Sequence, residues 1–122
     1  MTLERDPQAP SLARAAVRGF SEQRRMSQEA LSTLALLVSE LVSNAVMHSD
    51  APASSAIRLR ASLLDADAVR VEVIDQGSGF HLERRDPDRP GGYGLFLVDS
   101  QASKWGIELR HGTCVWFELA SD

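Results

Sequence analysis

A second cysteine is missing from this 122-residue chain, so no intramolecular disulfide can form and no thiolate cluster can hold a metal. The one thiol, Cys114, lies between Thr113 and Val115 in a strand-like run and is expected to be buried and inert. Positive charge is also short: 13 Lys and Arg stand against 17 Asp and Glu, a formal net charge of -4. That argues against a general nucleic-acid binder, whose surface must carry a basic field. An anionic small ligand stays admissible if positive charge is local or arrives with a metal ion. No apolar run is expected to approach the roughly 20 residues that cross a membrane. The leader "MTLERDPQAP" has acids and prolines where a secretory signal needs an apolar stretch, so a soluble, cytoplasmic protein is expected. Repeats and low-complexity tracts are absent. What is present is 43% hydrophobic residues, which at this length suits one domain over residues 1–122 with a single core, and not two.

"SLARAAVRGFSEQRR" has helical spacing, with Leu12, Ala15, Ala16 and Phe20 expected on one face and arginines at the C-terminal end. A second helix is predicted from an N-cap near Ser27 to about His48, where "SDAPAS" and Pro52 break it. "AIRLRASLL" and "AVRVEVID" alternate apolar and polar residues around the short "DADA", as an antiparallel hairpin does. "QGSGFHLERRDPDRPGG" has no periodicity and reads as a long functional loop. "YGLFLVDSQASKW" resumes as a helix, and "GIELRH" and "TCVWFELA" are two strands around a turn at Gly112. Helices segregated around hairpins predict an α+β fold, a two-layer sandwich with a mixed, mostly antiparallel sheet and helices on one face. Arg58, Arg60, Arg70 and Glu72 then look outward.

Three stretches carry residues that a core does not need. In "LLVSELVSNAVMHSD", Glu40, Asn44 and His48 recur at i, i+4 along one flank of an apolar face. Each alone fits an ordinary polar boundary. Together they set a carboxylate able to orient or deprotonate a nucleophile beside an amide oxygen able to bind a hard divalent cation. In "VEVIDQGSGF", a strand ends in Asp75, and Gly77 and Gly79 follow. A plain turn would explain the glycines, but not an acid placed where it can accept a hydrogen bond from an exocyclic amine. In "PGGYGLFLVD", Gly91, Gly92 and Gly94 precede a helix, an arrangement that serves either steric entry or an anion at the helix N-terminus. It matches neither the P-loop nor the dinucleotide fingerprint.

Taken in order, these segments resemble the N box, first G box, lid and second G box of the GHKL (histidine kinase-like) ATPase superfamily, which has the Bergerat-type ATP-binding fold. "SELVSNAVMH", "VEVIDQGSG", "GGYGLFLVD", "KWGIE" and "GTCVWFEL" look most like its small anti-sigma-factor serine/threonine kinases, and the similarity runs from about Leu12 to Leu119. Longer members begin with a strand before the first helix, whereas here only "MTLERDPQAP" precedes it.

The resemblance implies ATP and Mg2+ as cofactors. It places Mg2+ on Asn44, a general base at Glu40, and the adenine amino group on Asp75 with Thr113 in support. Gly77 and Gly79 would let the backbone approach adenine. Gly92 and Gly94 would present N–H groups to phosphate, with Leu95 beginning the helix, and His48 would lie near the phosphates. Arg84, Arg85 and Arg89 of the lid would neutralise the γ-phosphate, although "ERRDPDR" is equally readable as a self-paired charged loop. The implied function is phosphoryl transfer from ATP to a small antagonist protein, controlling a sigma factor. A homodimer is admissible, and no direct nucleic-acid or membrane contact is implied. The alternatives are a nucleotide-responsive binding module without turnover and a histidine-kinase-like catalytic domain acting in trans.

Overall fold

The structure is a computed structural model and describes residues 1–22, 26–47, 49–65, 68–78, 93–109 and 111–120. The described elements are β1 (Thr2–Leu3), α1 (Ala9–Glu22), α2 (Gln28–Met47), β2 (Ile57–Asp65), β3 (Ala68–Asp75), α3 (Tyr93–Gln101), β4 (Lys104–Leu109) and β5 (Thr113–Ala120). The strands form one sheet in the order β1-β2-β3-β5-β4. Every described pairing is antiparallel, in keeping with the mostly antiparallel sheet of the expected α+β fold.

Strand alternation decides which face is buried. Along β3, Val69, Val71 and Val73 are buried between half-buried neighbours, and along β5 Val115, Phe117 and Leu119 do the same. These rows oppose each other in register, Val71 against Phe117 and Val73 against Val115. Both face the helices. Leu34, Leu37, Val38 and Val42 of α2, each at 0% exposure, fill the middle of the core together with Val17 of α1 and Val98 of α3. Residues 28–47 start where Ser27 Oγ accepts the Ala30 N–H at 3.0 Å, satisfying one of the donors a helix N-terminus leaves open.

Three expectations are corrected here. The buried stripe of α1 is Ala9, Ala13, Val17 and Ser21; of the expected face, Ala16 and Phe20 are half-buried against the core, while Leu12 is 49% exposed and Ala15 points to solvent. The helix starts at Ala9, after Asp6 Oδ1 accepts the Gln8 N–H at 2.8 Å, and the stripe that packs against α2 and the core is the one that carries Val17. The N-terminal residues do supply a strand: Leu3 pairs with Ile57 and Thr2 with Arg58, driven by burial of Leu3 to 3%. Finally, α2 is by itself long and apolar enough to cross a membrane, with mean hydropathy 1.6 over an 18-residue window, of which 56% is buried in this fold. Its Ser, Glu and Asn residues break the apolar run to the eye without lowering the average below that of a membrane helix.

The outward sheet face holds a charged lattice. Arg70 pairs with Glu118 at 3.1 Å and Glu72 at 3.5 Å, and its guanidinium lies 4.1 Å from the Trp116 ring centroid. Cys114 is on this face, half-buried instead of buried, because Thr113 and Val115 take the inward positions. Its Sγ donates to Glu72 Oε2 at 3.8 Å. Desolvation first, and then the negative charge of Glu72, pushes the thiol up from 9.0 to about 11. The expected consequence is alkylation at pH 8 about 100-fold slower in the native protein than in urea, since only the thiolate reacts. Equal rates in a timed iodoacetamide assay would contradict this placement. Because the folded value is the raised one, the contribution to stability is present below pH 9 and lost as the pH rises through about 11.

The turn before β5 ties the sheet to the acid that ends β3. His111 has φ 50 and Gly112 φ 126, and a Cβ on Gly112 would collide with the backbone oxygen of Asp75. Gly112→Ala is therefore expected to cost about 2–3 kcal/mol through strain and overlap, read as a lower urea midpoint at unchanged slope. An unchanged midpoint would mean the turn relaxes freely.

Candidate functional site

The C-terminal end of α2, the end of β3 and the start of β5 meet at one end of the sandwich. Asp75 is the last residue of β3 and follows the inward rhythm of Val71 and Val73, so the core pattern itself turns a carboxylate inward, at 7% exposure. One of its oxygens is committed: Oδ1 accepts the Gly77 N–H at 2.5 Å and the Ser49 hydroxyl at 3.0 Å. Those two bonds leave Oδ2 without a donor among the described residues. Thr113, paired with Asp75 in register and 1% exposed, donates from Oγ1 to the Gly77 carbonyl at 2.7 Å. Gly77 is thus gripped from both sides, and a Cβ there would overlap Ser49 Oγ and both nearby carboxylates, of Asp50 and Asp75. That close approach, and no need for unusual φ, is what requires glycine here.

Asn44 is 6% exposed, and its Nδ2 is buried with no hydrogen-bond partner among the described residues. A buried amide left unpaired costs on the order of 1–3 kcal/mol. It is tolerated where a bound molecule completes it. Glu40, one helical turn earlier, is half-buried and has no ion pair among the described residues. No described group of three His, Cys, Asp or Glu side chains could hold a metal alone, so a cation at Asn44 would have to bring most of its ligands with it.

The structure therefore brings Asp75, Gly77 and Thr113 into direct contact, while Glu40 and Asn44 lie one turn apart on α2, whose C-terminal end leads into Ser49. Leu95, in the first turn of α3, is half-buried and packs on the core, and Gly94 lies in the same turn. His48, Gly79, Arg84, Arg85, Arg89 and Gly92 lie outside the described residues.

Two contacts were not anticipated from the sequence. The Ser49 hydroxyl holds Asp75, and Asp50 accepts the Ser78 N–H at 2.7 Å and the Ser78 hydroxyl. The available signal was a serine and an aspartate directly before the helix-breaking Ala51-Pro52, a pattern that reads locally as no more than a turn.

Comparisons with known proteins bear on the family and the fold. The serine-protein kinase RsbW of Listeria monocytogenes is 29% identical over 113 residues, covering 82% of this chain and 72% of the relative. The protein of the same name from Oceanobacillus iheyensis is 26% identical over 129 residues, covering 94% and 81%. Among solved structures, the RsbU and RsbW domains of Rv1364c from Mycobacterium tuberculosis share the fold with TM-score 0.76 at 24% identity, over 100% of this chain and 32% of that one. A blue-light activated histidine kinase from Erythrobacter litoralis matches with TM-score 0.62 at 27% identity, over 79% of this chain and 32% of that one. This chain thus spans about a third of each of those two structures. A family model described as the histidine kinase-like ATPase domain matches residues 3–119, nearly the whole chain. With a buried strand-end acid, a gripped glycine turn and an Asn-bearing helix already in place, this chain belongs to the histidine kinase-like ATPase domain family.

Proposed function

We propose that the chain is an ATP-dependent serine/threonine kinase that phosphorylates a small antagonist protein and thereby controls a sigma factor. The observation that carries the reading is Asp75: a buried carboxylate with one oxygen satisfied by the protein and the other left to accept from a purine amino group. The names of the relatives supply the serine-kinase part of the proposal.

Bound ATP with Mg2+ would supply a transferable phosphoryl group and a cation that offsets its charge. The residues fit such a pair, since the buried, incompletely bonded amide of Asn44 offers an oxygen to the cation and donors to a phosphate or water, and Mg2+ is usually held by few protein groups plus phosphates. Glu40 would take the proton of the acceptor hydroxyl as that oxygen bonds to the γ-phosphorus and the bond from the same phosphorus to the β–γ bridging oxygen breaks, ADP leaving with the electron pair. The first turn of α3, with Gly94 and Leu95, would offer N–H groups to phosphate oxygens, since a helix N-terminus has such donors left over by its own hydrogen bonding. His48, Arg84, Arg85, Arg89 and Gly92 complete the phosphate side, and Gly79 the adenine side, in the same reading.

The test is incubation with Mg-ATP and candidate antagonist domains, followed by acid treatment of the product. Acid-stable phosphate on the antagonist supports the proposal. The likeness to the Erythrobacter litoralis histidine kinase motivates a second reading, transfer in trans to histidine, which would give an acid-labile product. Nucleotide binding with no transfer to any partner would leave a nucleotide-responsive binding module.

A further inference from the structure

We propose that Arg5 is a positioning residue of the nucleotide site, acting through Ser49 on Asp75; the functional half of this inference rests on the reading of that site given above. Burial of Leu3 and the pairing of β1 with β2 deliver the next residues to the C-terminal end of α2. There the Arg5 guanidinium donates to four carbonyls: from Nη1 to Ala51 at 2.7 Å and Pro52 at 2.9 Å, and from Nη2 to Val46 at 3.2 Å and Ser49 at 3.4 Å. A helix C-terminus leaves its last carbonyls unpaired and partly negative, and Pro52 prevents their being satisfied by further helix. A planar five-donor cation answers that need as no local residue does.

The same segment is fastened to the site on its other side. Ser49, whose carbonyl Arg5 holds, accepts the Ala51 N–H on its hydroxyl at 3.1 Å and donates that hydroxyl to Asp75 Oδ1. Asp50 binds the Ser78 amide just beyond Gly77. Residues 49–52 are thus a strap between a cation at one end of the sequence and the carboxylate that faces the ligand. When Arg5 is removed, Ser49 loses its anchor and Asp75 keeps only the Gly77 N–H to fix its plane, so Oδ2 no longer points in one direction.

The experiment uses Arg5→Gln, Arg5→Lys and Ser49→Ala in the full chain, with adenosine and ATP as ligands and tripolyphosphate as the control that lacks a base. Arg5→Gln is expected to weaken adenosine and ATP by about tenfold, the scale of a lost charge-assisted contact, and to leave tripolyphosphate unchanged. In the Ser49→Ala background the further loss should stay under about twofold, because two residues acting in series do not add. Arg5→Lys, which keeps charge but not the fork, should fall between. A readout free of ligand accompanies these: amide hydrogen exchange at Gly77 should accelerate about tenfold in Arg5→Gln while amides of Val71 and Val115 keep their protection, as local opening requires. Unchanged exchange at Gly77, acceleration spread equally over the sheet, or fully additive losses with Ser49→Ala would overturn the proposal. If the wild-type protein binds no adenosine while the exchange result holds, the nucleotide reading fails and the linkage from Arg5 through Ser49 to Asp75 stands.

Discussion

Asp75→Asn is expected to lower ATP affinity about 100-fold, about 2.7 kcal/mol and so near the upper end for one hydrogen bond to a charged group, and to invert the preference between purine bases. The carboxylate has two acceptor oxygens, whereas an amide has one acceptor and one double donor. Oδ1 must accept from Gly77 N–H at 2.5 Å and the Ser49 hydroxyl at 3.0 Å. If the amide oxygen takes that place, its NH2 meets the amino group of adenine, donor against donor. If the amide turns over, the same clash falls on Gly77, and the turn shifts. A 6-oxo purine nucleotide presents an acceptor at that position, so the variant should bind inosine triphosphate at least as well as ATP, while the wild type rejects it. Isothermal titration of both nucleotides against both proteins decides the matter. A variant that keeps wild-type ATP affinity would remove Asp75 from base recognition altogether.

Glu40→Ala is expected to slow phosphoryl transfer by about 10²–10⁴-fold, the usual worth of a positioned base, with ATP affinity held within a factor of about two. The reason for the split is position: Glu40 is one helical turn from Asn44 and makes none of the described contacts to Asp75, Gly77 or Thr113. Losing it should leave the base-binding end intact and affect only the acceptor hydroxyl. Single-turnover assays with saturating ATP and antagonist separate the two effects. Transfer at the wild-type rate would end the assignment of Glu40 as base, and a matching collapse of ATP affinity would recast it as a binding residue.

Much of this was legible because the relevant patterns are local. Alternation in "VRVEVID" put Asp75 on the inward face at the end of β3. Ser27 announced the start of α2. Spacing along one helix was enough to place Glu40 beside Asn44, since 3.6 residues per turn is a property of the backbone and not of the fold. Two of the failures were of one kind. Leu12 looked inward in a helical projection but is exposed, because which stripe of α1 is buried is set by how the helix packs against α2 and the rest of the core. Two residues of β1 were invisible because a strand that short exists only by virtue of the β2 edge it completes.

The sequence by itself determined the alternation of the strands, the start of α2, the inward acid at the end of β3 and the glycine after it, all consequences of backbone geometry over a few residues. Only the tertiary structure decided what those residues touch. That Ser49 holds Asp75 across 26 positions depends on α2 docking on the sheet, and that Arg5 reaches Val46, Ser49, Ala51 and Pro52 across 41 to 47 depends on burial of Leu3 drawing the N-terminal residues onto the sheet. Contacts of that separation follow from how the core closes, and no local pattern in the chain encodes them.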